Sequence, residues 1–217
     1  MDRYRTIKGP GEGIYKDRGS KFIAYARRVV NREEAEALLQ EARKNHFKAR
    51  HHCLAYRIGL DEVEERASDD GEPSGSAGIP ILNQLKSQDL LNLAVVVVRY
   101  FGGSKLGIPG LIKAYGASTD EALRNAGIID HEVRHYYLLS FDYKLMKQVM
   151  DLINWEGLTC TEKTLDIEAS VTIGFLPSEH ESGLKKTMSI LFEKPEDAID
   201  SITFDHKLFQ LKSLGTR

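Results

Sequence analysis

Leu93 to Val98 is an unbroken apolar run, the longest in this chain of 217 residues. Six residues extend about 20 Å as a strand, and as a helix they fall far short of the ~20 needed to cross a bilayer. The run therefore predicts a buried strand over Leu93–Tyr100, ending where a glycine-rich loop begins. Around it the composition is that of an ordinary globular chain, with 41% hydrophobic and 29% charged residues, which excludes a fibrous or wholly disordered protein. Lys and Arg total 30 against 32 Asp and Glu, so bulk charge gives no general affinity for nucleic acid or membrane. The start, Met1-Asp2-Arg3-Tyr4-Arg5, lacks the apolar core of a signal peptide. Cys53 and Cys160 form neither a disulfide framework nor a CxxC zinc motif. These features lead us to expect a reduced, cytoplasmic, soluble protein.

The texture changes near Asp130. Residues 1–130 hold 20 basic against 18 acidic residues and 14 of the 18 glycines, whereas residues 131–217 hold 10 basic against 14 acidic. Two domains, 1–130 and 131–217, are expected, with Gly127 ending the helix before the boundary. The second reads as strand 136–143, helix 144–154, strands 157–165 and 167–176, a helix starting at Pro177-Ser178-Glu179, and a last strand at about 202–211. That β-α-β-β-α-β order is the ferredoxin-like pattern. In the strand at 167–176, Ile167, Ala169, Val171 and Ile173 alternate. The first domain reads as strands near 13–16, 22–30, 51–58 and 93–100. Its helices are expected at 32–44 (capped by Asn31), 79–87 and 109–125, with Pro109 in the first turn of the last. This is an α+β unit whose helices are expected on one side of its sheet.

Two loops carry the candidate chemistry. Ser68-Asp69-Asp70-Gly71-Glu72-Pro73-Ser74-Gly75-Ser76-Ala77-Gly78 precedes a helix. Its Asp69, Asp70, Glu72, Ser74 and Ser76 could hold a divalent cation, or pin the loop through Asx-type hydrogen bonds. The second loop, Arg99 to Lys113, contains Gly102, Gly103, Gly107 and Gly110. No acid lies between Asp89 and Asp120, although Arg99, Lys105 and Lys113 do. Glycines and a helix start suit a phosphate. It is not a P-loop, because Ile108 stands where the lysine of GxxxxGK would be. A third basic stretch, Arg43 to Arg57, includes Arg50, His51 and His52 and no acid. His51 and Cys53 lack the further ligands a metal site needs, and Trp155 reads as a packing residue.

Four motifs carry a resemblance: Gly19-Ser20-Lys21-Phe22-Ile23-Ala24, Ala49 through Tyr56, Ser68 through Pro80, and Val95 through Gly116. In this order they resemble the Impact family, whose bacterial members are the YigZ-like proteins. The resemblance implies an N-terminal domain like domain 2 of ribosomal protein S5. It also implies a ferredoxin-like C-terminal domain similar to domain V of elongation factor G. The eukaryotic members are translational regulators that compete for the activator of a stress kinase, and the folds of the bacterial members imply association with nucleic acid or the ribosome. Two positions depart from the family pattern: Ile108-Pro109-Gly110 replaces a common Gly-Gly pair, and Ser76 replaces a common threonine.

The leading expectation is a non-catalytic, translation-associated protein that binds RNA or the ribosome. Anion contacts would come from Arg50, Arg99, Gly102, Gly103, Lys105 and Lys113, with Tyr100, Phe101 and Tyr115 stacking on bases if exposed. One alternative is an enzyme or binder acting on a phosphorylated small molecule or nucleotide, with Mg²⁺ on the acidic loop. No base, nucleophile or Walker lysine stands out for it, and no cofactor is otherwise implied. Another alternative is a regulator that binds a protein partner of the translation apparatus through the acidic second domain. No membrane partner is expected.

Overall fold

The computed structural model describes residues 1–60, 62–166 and 169–216. The chain divides into two compact units, one of Tyr4–His131 and the other of Glu132–Arg217 together with Met1–Arg3. Each is α+β.

In the first unit the elements run β1 (Arg3–Ile7), β2 (Gly11–Asp17), β3 (Ser20–Arg28), α1 (Arg32–Asn45), β4 (His51–Ile58) and β5 (Glu64–Ser68). They continue with α2 (Gly78–Ser87), β6 (Leu93–Tyr100), α3 (Gly107–Ala126) and β7 (Ile128–Glu132). β1 and β7 pair as a ribbon, and the main sheet has the order β2-β3-β6-β4-β5 with every pair antiparallel. The apolar run is the central strand, β6. Val95 and Val97 pack with Ile81, Leu85, Leu111 and Leu123 of α2 and α3, while Ala94, Val96 and Val98 pack with Leu38, Leu39 and Ala42 of α1. The helices thus cover both faces, not the single face expected. An uninterrupted apolar strand requires this, because alternate side chains point to opposite sides.

Local chemistry sets the element ends. Asn31 caps α1 by accepting from the Glu34 N–H at 2.8 Å, and the Glu34 carboxylate accepts from the Val30 N–H at 3.0 Å. Pro109 lies in the first turn of α3, and Gly127 ends that helix at φ 69°. β5 went unrecognised in the sequence because it is an edge strand with no apolar pattern. Its Glu64, Glu65 and Arg66 pair with Arg32, Arg57 and Glu36. The β1–β7 ribbon was also missed.

The second unit runs β8 (His135–Phe141), α4 (Met146–Ile153), β9 (Thr159–Leu165), β10 (Ala169–Phe175), α5 (His180–Phe192), β11 (Asp205–His206) and β12 (Phe209–Thr216). Its sheet order, β11-β12-β8-β10-β9, contains the ferredoxin-like arrangement. Leu139, Val171 and Ile173 of the sheet pack with Val149, Leu152, Leu184 and Met188 of the helices, and Trp155 packs at the edge of this core. The single last strand expected at 202–211 is instead a hairpin that turns at Lys207 and Leu208. Ile167, expected in the alternation of β10, lies outside the described residues. Among the described residues no helix is long and apolar enough to cross a membrane.

Candidate functional site

In the first unit the acidic loop and the glycine-rich loop meet. Strand β4 brings Arg50 and His51 to the same place, and together they line a cavity of about 450 Å³. Its walls are Arg50, His51, Glu72, Pro73, Arg99 and Phe101, with Lys105 to Ile108 and Leu111 completing it.

The wall is built around a buried ion pair. Arg99 Nη1 donates to Glu72 Oε1 at 2.6 Å and Oε2 at 2.9 Å, and the side chains are 7% and 3% exposed. The Tyr115 hydroxyl donates to Glu72 Oε1 at 2.8 Å. The Cys53 thiol donates to the Asp69 carbonyl at 3.0 Å and lies 3.4 Å from the Tyr115 hydroxyl. Burial pushes the Cys53 thiol up from its ordinary range, so it stays protonated and unreactive near neutrality. Burial also raises the Tyr115 hydroxyl, with Cys53 and Glu72 adding to the shift. The Arg99 guanidinium lies 5.4 Å from the Phe22 ring centroid and 5.5 Å from that of Phe101.

Arg99 is therefore not the solvent-facing cation expected from the loop, since the acidic loop reaches over and occupies it. Tyr115 is fully buried and cannot stack on a base, while Tyr100 is half-buried with its hydroxyl 2.9 Å from His46 Nδ1. Phe101 alone of the three aromatic candidates is exposed, at 46%.

The acidic loop holds itself in place. Asp69 accepts from the backbone N–H groups of Gly75, Ala77 and Gly78 at 2.8, 3.0 and 2.8 Å. Burial opposes its charged form, but these three donors together hold its carboxyl below the ordinary carboxylate value. Asp70 accepts from the His52 N–H at 2.7 Å and pairs with Arg43 at 3.1 Å. The Ser76 hydroxyl donates to the Pro73 carbonyl at 2.6 Å, and Ser74 is exposed. The three carboxylates thus face three different sets of partners and do not converge on one point. Among the described residues no group of three His, Cys, Asp or Glu side chains is placed to share a metal ion.

The remaining cations differ from Arg99. Arg50, Lys105 and Lys113 are exposed, and among the described residues they make no ion pair. Arg50 and Lys105 line the cavity, but Lys113 does not. The Gly102 N–H donates to Ser20 Oγ at 3.1 Å, and Gly102 lies against the Gly19 backbone. Its N–H is thereby used inside the fold and is not offered to an anion. Gly103 stands in open space at φ 90°. The ion pair that closes the loops was missed in the sequence. Its signal was one glutamate, Glu72, in an acidic loop, set against the acid-free segment that Arg99 opens.

Residues 18–123 match the Impact N-terminal domain family. The chain is 41% identical to the IMPACT family member YvyE of Bacillus subtilis over 149 residues, 69% of this chain and 69% of that protein. It is 43% identical to the IMPACT family member YigZ of Escherichia coli over 126 residues, 57% of this chain and 62% of the relative. A crystal structure described as that of a hypothetical protein aligns with 99% of this chain and 98% of its own, at TM-score 0.68 and 26% identity. With the motifs, the two-unit α+β fold and these relatives in agreement, the chain belongs to the IMPACT family.

Proposed function

We propose that this chain is a non-catalytic, translation-associated protein that binds RNA, free or in the ribosome, through the glycine-rich edge of its first unit. The observation that carries the reading is the group Arg50, Lys105 and Lys113, exposed and without acid partners among the described residues. Phosphate oxygens are the natural partners of such cations, and exposed Phe101 beside Lys105 offers a face for an unpaired base. Arg99 supports this edge from within and does not touch the ligand.

The test is binding of structured RNA and of purified ribosomes at two salt concentrations. Each phosphate contact contributes about 0.7 to 0.9 to the slope of log K against log salt. Charge reversal at Arg50, Lys105 and Lys113 is expected to flatten that slope by about 2 to 3. No binding at low salt, or binding that charge reversal leaves unchanged, overturns the reading. A nuclease-insensitive complex with a protein would replace it with a protein-partner role.

A further inference from the structure

The proposed RNA contact includes a cavity that phosphate binding alone does not explain. A backbone contact needs cations on an open surface, yet Arg50 and Lys105 stand at a hollow of about 450 Å³ otherwise lined mainly by apolar side chains. That volume lies within the usual range for small-ligand sites. Leu106, Ile108, Leu111, Pro73 and Phe101 supply the apolar lining, and Ile108 and Phe101 are 52% and 46% exposed.

The polar part of the lining is cationic in excess. Among the described residues Glu72 is its only acid, and that carboxylate is already met by Arg99 Nη1 and the Tyr115 hydroxyl. This leaves Arg50 and Lys105 uncompensated. Arg99, 6% exposed, keeps its buried Nε without a hydrogen-bond partner among the described residues. An unsatisfied buried donor is rare in a folded protein, and it marks Arg99 as a strained support of this wall. Arg99 is itself one wall of the hollow, its guanidinium carbon 5.5 Å from the Phe101 ring centroid, while the Nε lies buried within that wall. The hollow also includes the start of α3, where Leu106 gives no side-chain cap and the first turn has no acid. The N–H groups of Gly107 and Ile108 therefore have no helical acceptor, while Pro109 has no N–H to offer.

A ligand that fits must join a flat apolar body to an anionic end. Resting on the RNA reading, we infer that this cavity receives a single nucleoside monophosphate unit. Its base lies against Phe101, Ile108 and Leu111, and its phosphate meets Arg50, Lys105 and the first amides of α3. Base stacking on an aromatic ring tolerates any base, so the site reads the presence of an unpaired nucleotide and not its identity. The unit comes from one of two sources, a free mononucleotide or an extruded or terminal nucleotide of an RNA.

The experiment is calorimetric titration of the full chain with AMP and UMP, alongside adenosine, ribose 5-phosphate and a short 5′-phosphorylated single-stranded RNA. Saturable binding of both mononucleotides is expected, at least tenfold tighter than adenosine or ribose 5-phosphate. The exposed-site variants Phe101→Ala and Arg50→Glu/Lys105→Glu should each weaken it about tenfold or more. RNA that competes with AMP assigns the unit to RNA. Mononucleotide binding without RNA binding assigns it to a free nucleotide and overturns the RNA reading alone. Salt-sensitive RNA binding with no mononucleotide binding at millimolar concentration overturns the cavity and leaves the RNA reading standing. Ribose 5-phosphate binding as tightly as AMP also overturns it, because the apolar lining would then contribute nothing.

Discussion

Glu72 and Arg99, 27 residues apart, close on each other inside the first unit, so the acidic loop neutralises the first cation of the glycine-rich loop. The pair is almost fully desolvated, and removing one partner strands the other charge. Glu72→Ala is expected to cost about 3 to 5 kcal/mol in urea-induced unfolding. Replacing both by apolar residues of similar volume, Glu72→Met with Arg99→Met, should recover most of that loss, since no buried charge then remains. A single-variant cost below about 1 kcal/mol would show that the pair is wet in solution.

Asp69 gives a second prediction. Its depressed pKa means that the charged form is favoured on folding. The stability it contributes is present above the unfolded value of about 3.9 and is lost as pH falls through the folded value. Asp69→Ala strands three loop N–H groups and should lower stability by about 1 to 3 kcal/mol near neutrality. The variant should also lose less stability than the parent between pH 5 and pH 3. Parallel losses over that window would place the acid sensitivity elsewhere.

Much of the architecture was readable where one pattern dominated. β4 and β6 could be placed from their apolar runs, α1 from Asn31, and the second unit from its element order. The side on which α1 packs was also implicit, because Ala94, Val96 and Val98 cannot face water any better than Val95 and Val97. β5 was hidden because its stability comes from pairing with β4 and from charge pairs across to other elements. The site was half legible. Residue type and spacing pointed to cations away from acids, Lys105 beside glycines and Arg50 in the basic stretch, and neither makes an ion pair among the described residues. Which cation an acid had already taken depends on Glu72 reaching across the sheet end, a tertiary contact that local sequence does not encode.

His46 should make stability depend on pH. Its Nε2 lies 2.7 Å from the Tyr25 hydroxyl and its Nδ1 lies 2.9 Å from that of Tyr100. A neutral ring serves one tyrosine as donor and the other as acceptor, whereas a charged ring can only donate. Burial holds the His46 pKa below the ordinary 6.5, and Lys21 adds to the shift. The associated stability is present above about pH 6.5 and is lost as pH falls through the folded value. Thermal unfolding should therefore fall more steeply between pH 6.5 and 5 in the parent than in His46→Gln. Coincident slopes would assign that loss to other groups, of which His52, lowered first by burial, is the nearest.

Gly102 and Gly103 are neighbours with opposite constraints, and substituting each separates scaffold from ligand contact. A Cβ on Gly102 would lie 1.9 Å from the Gly19 carbonyl carbon and 2.2 Å from the Ser20 nitrogen, so backbone would have to move. A Cβ on Gly103 meets nothing, and only its positive φ opposes a side chain. Gly103→Ala should cost about 1 to 2 kcal/mol and leave RNA affinity within about twofold. Gly102→Ala should cost more, about 3 kcal/mol, because overpacking against backbone cannot be relieved by a rotamer change. Its RNA binding should weaken as well, since the shift carries Phe101 and Lys105 with it. Urea unfolding and RNA titration on the two variants decide the matter: equal stability costs would mean that the turn is loose in solution, and that Lys105 is placed by its own flexibility and not by the packing of Gly102 on Gly19.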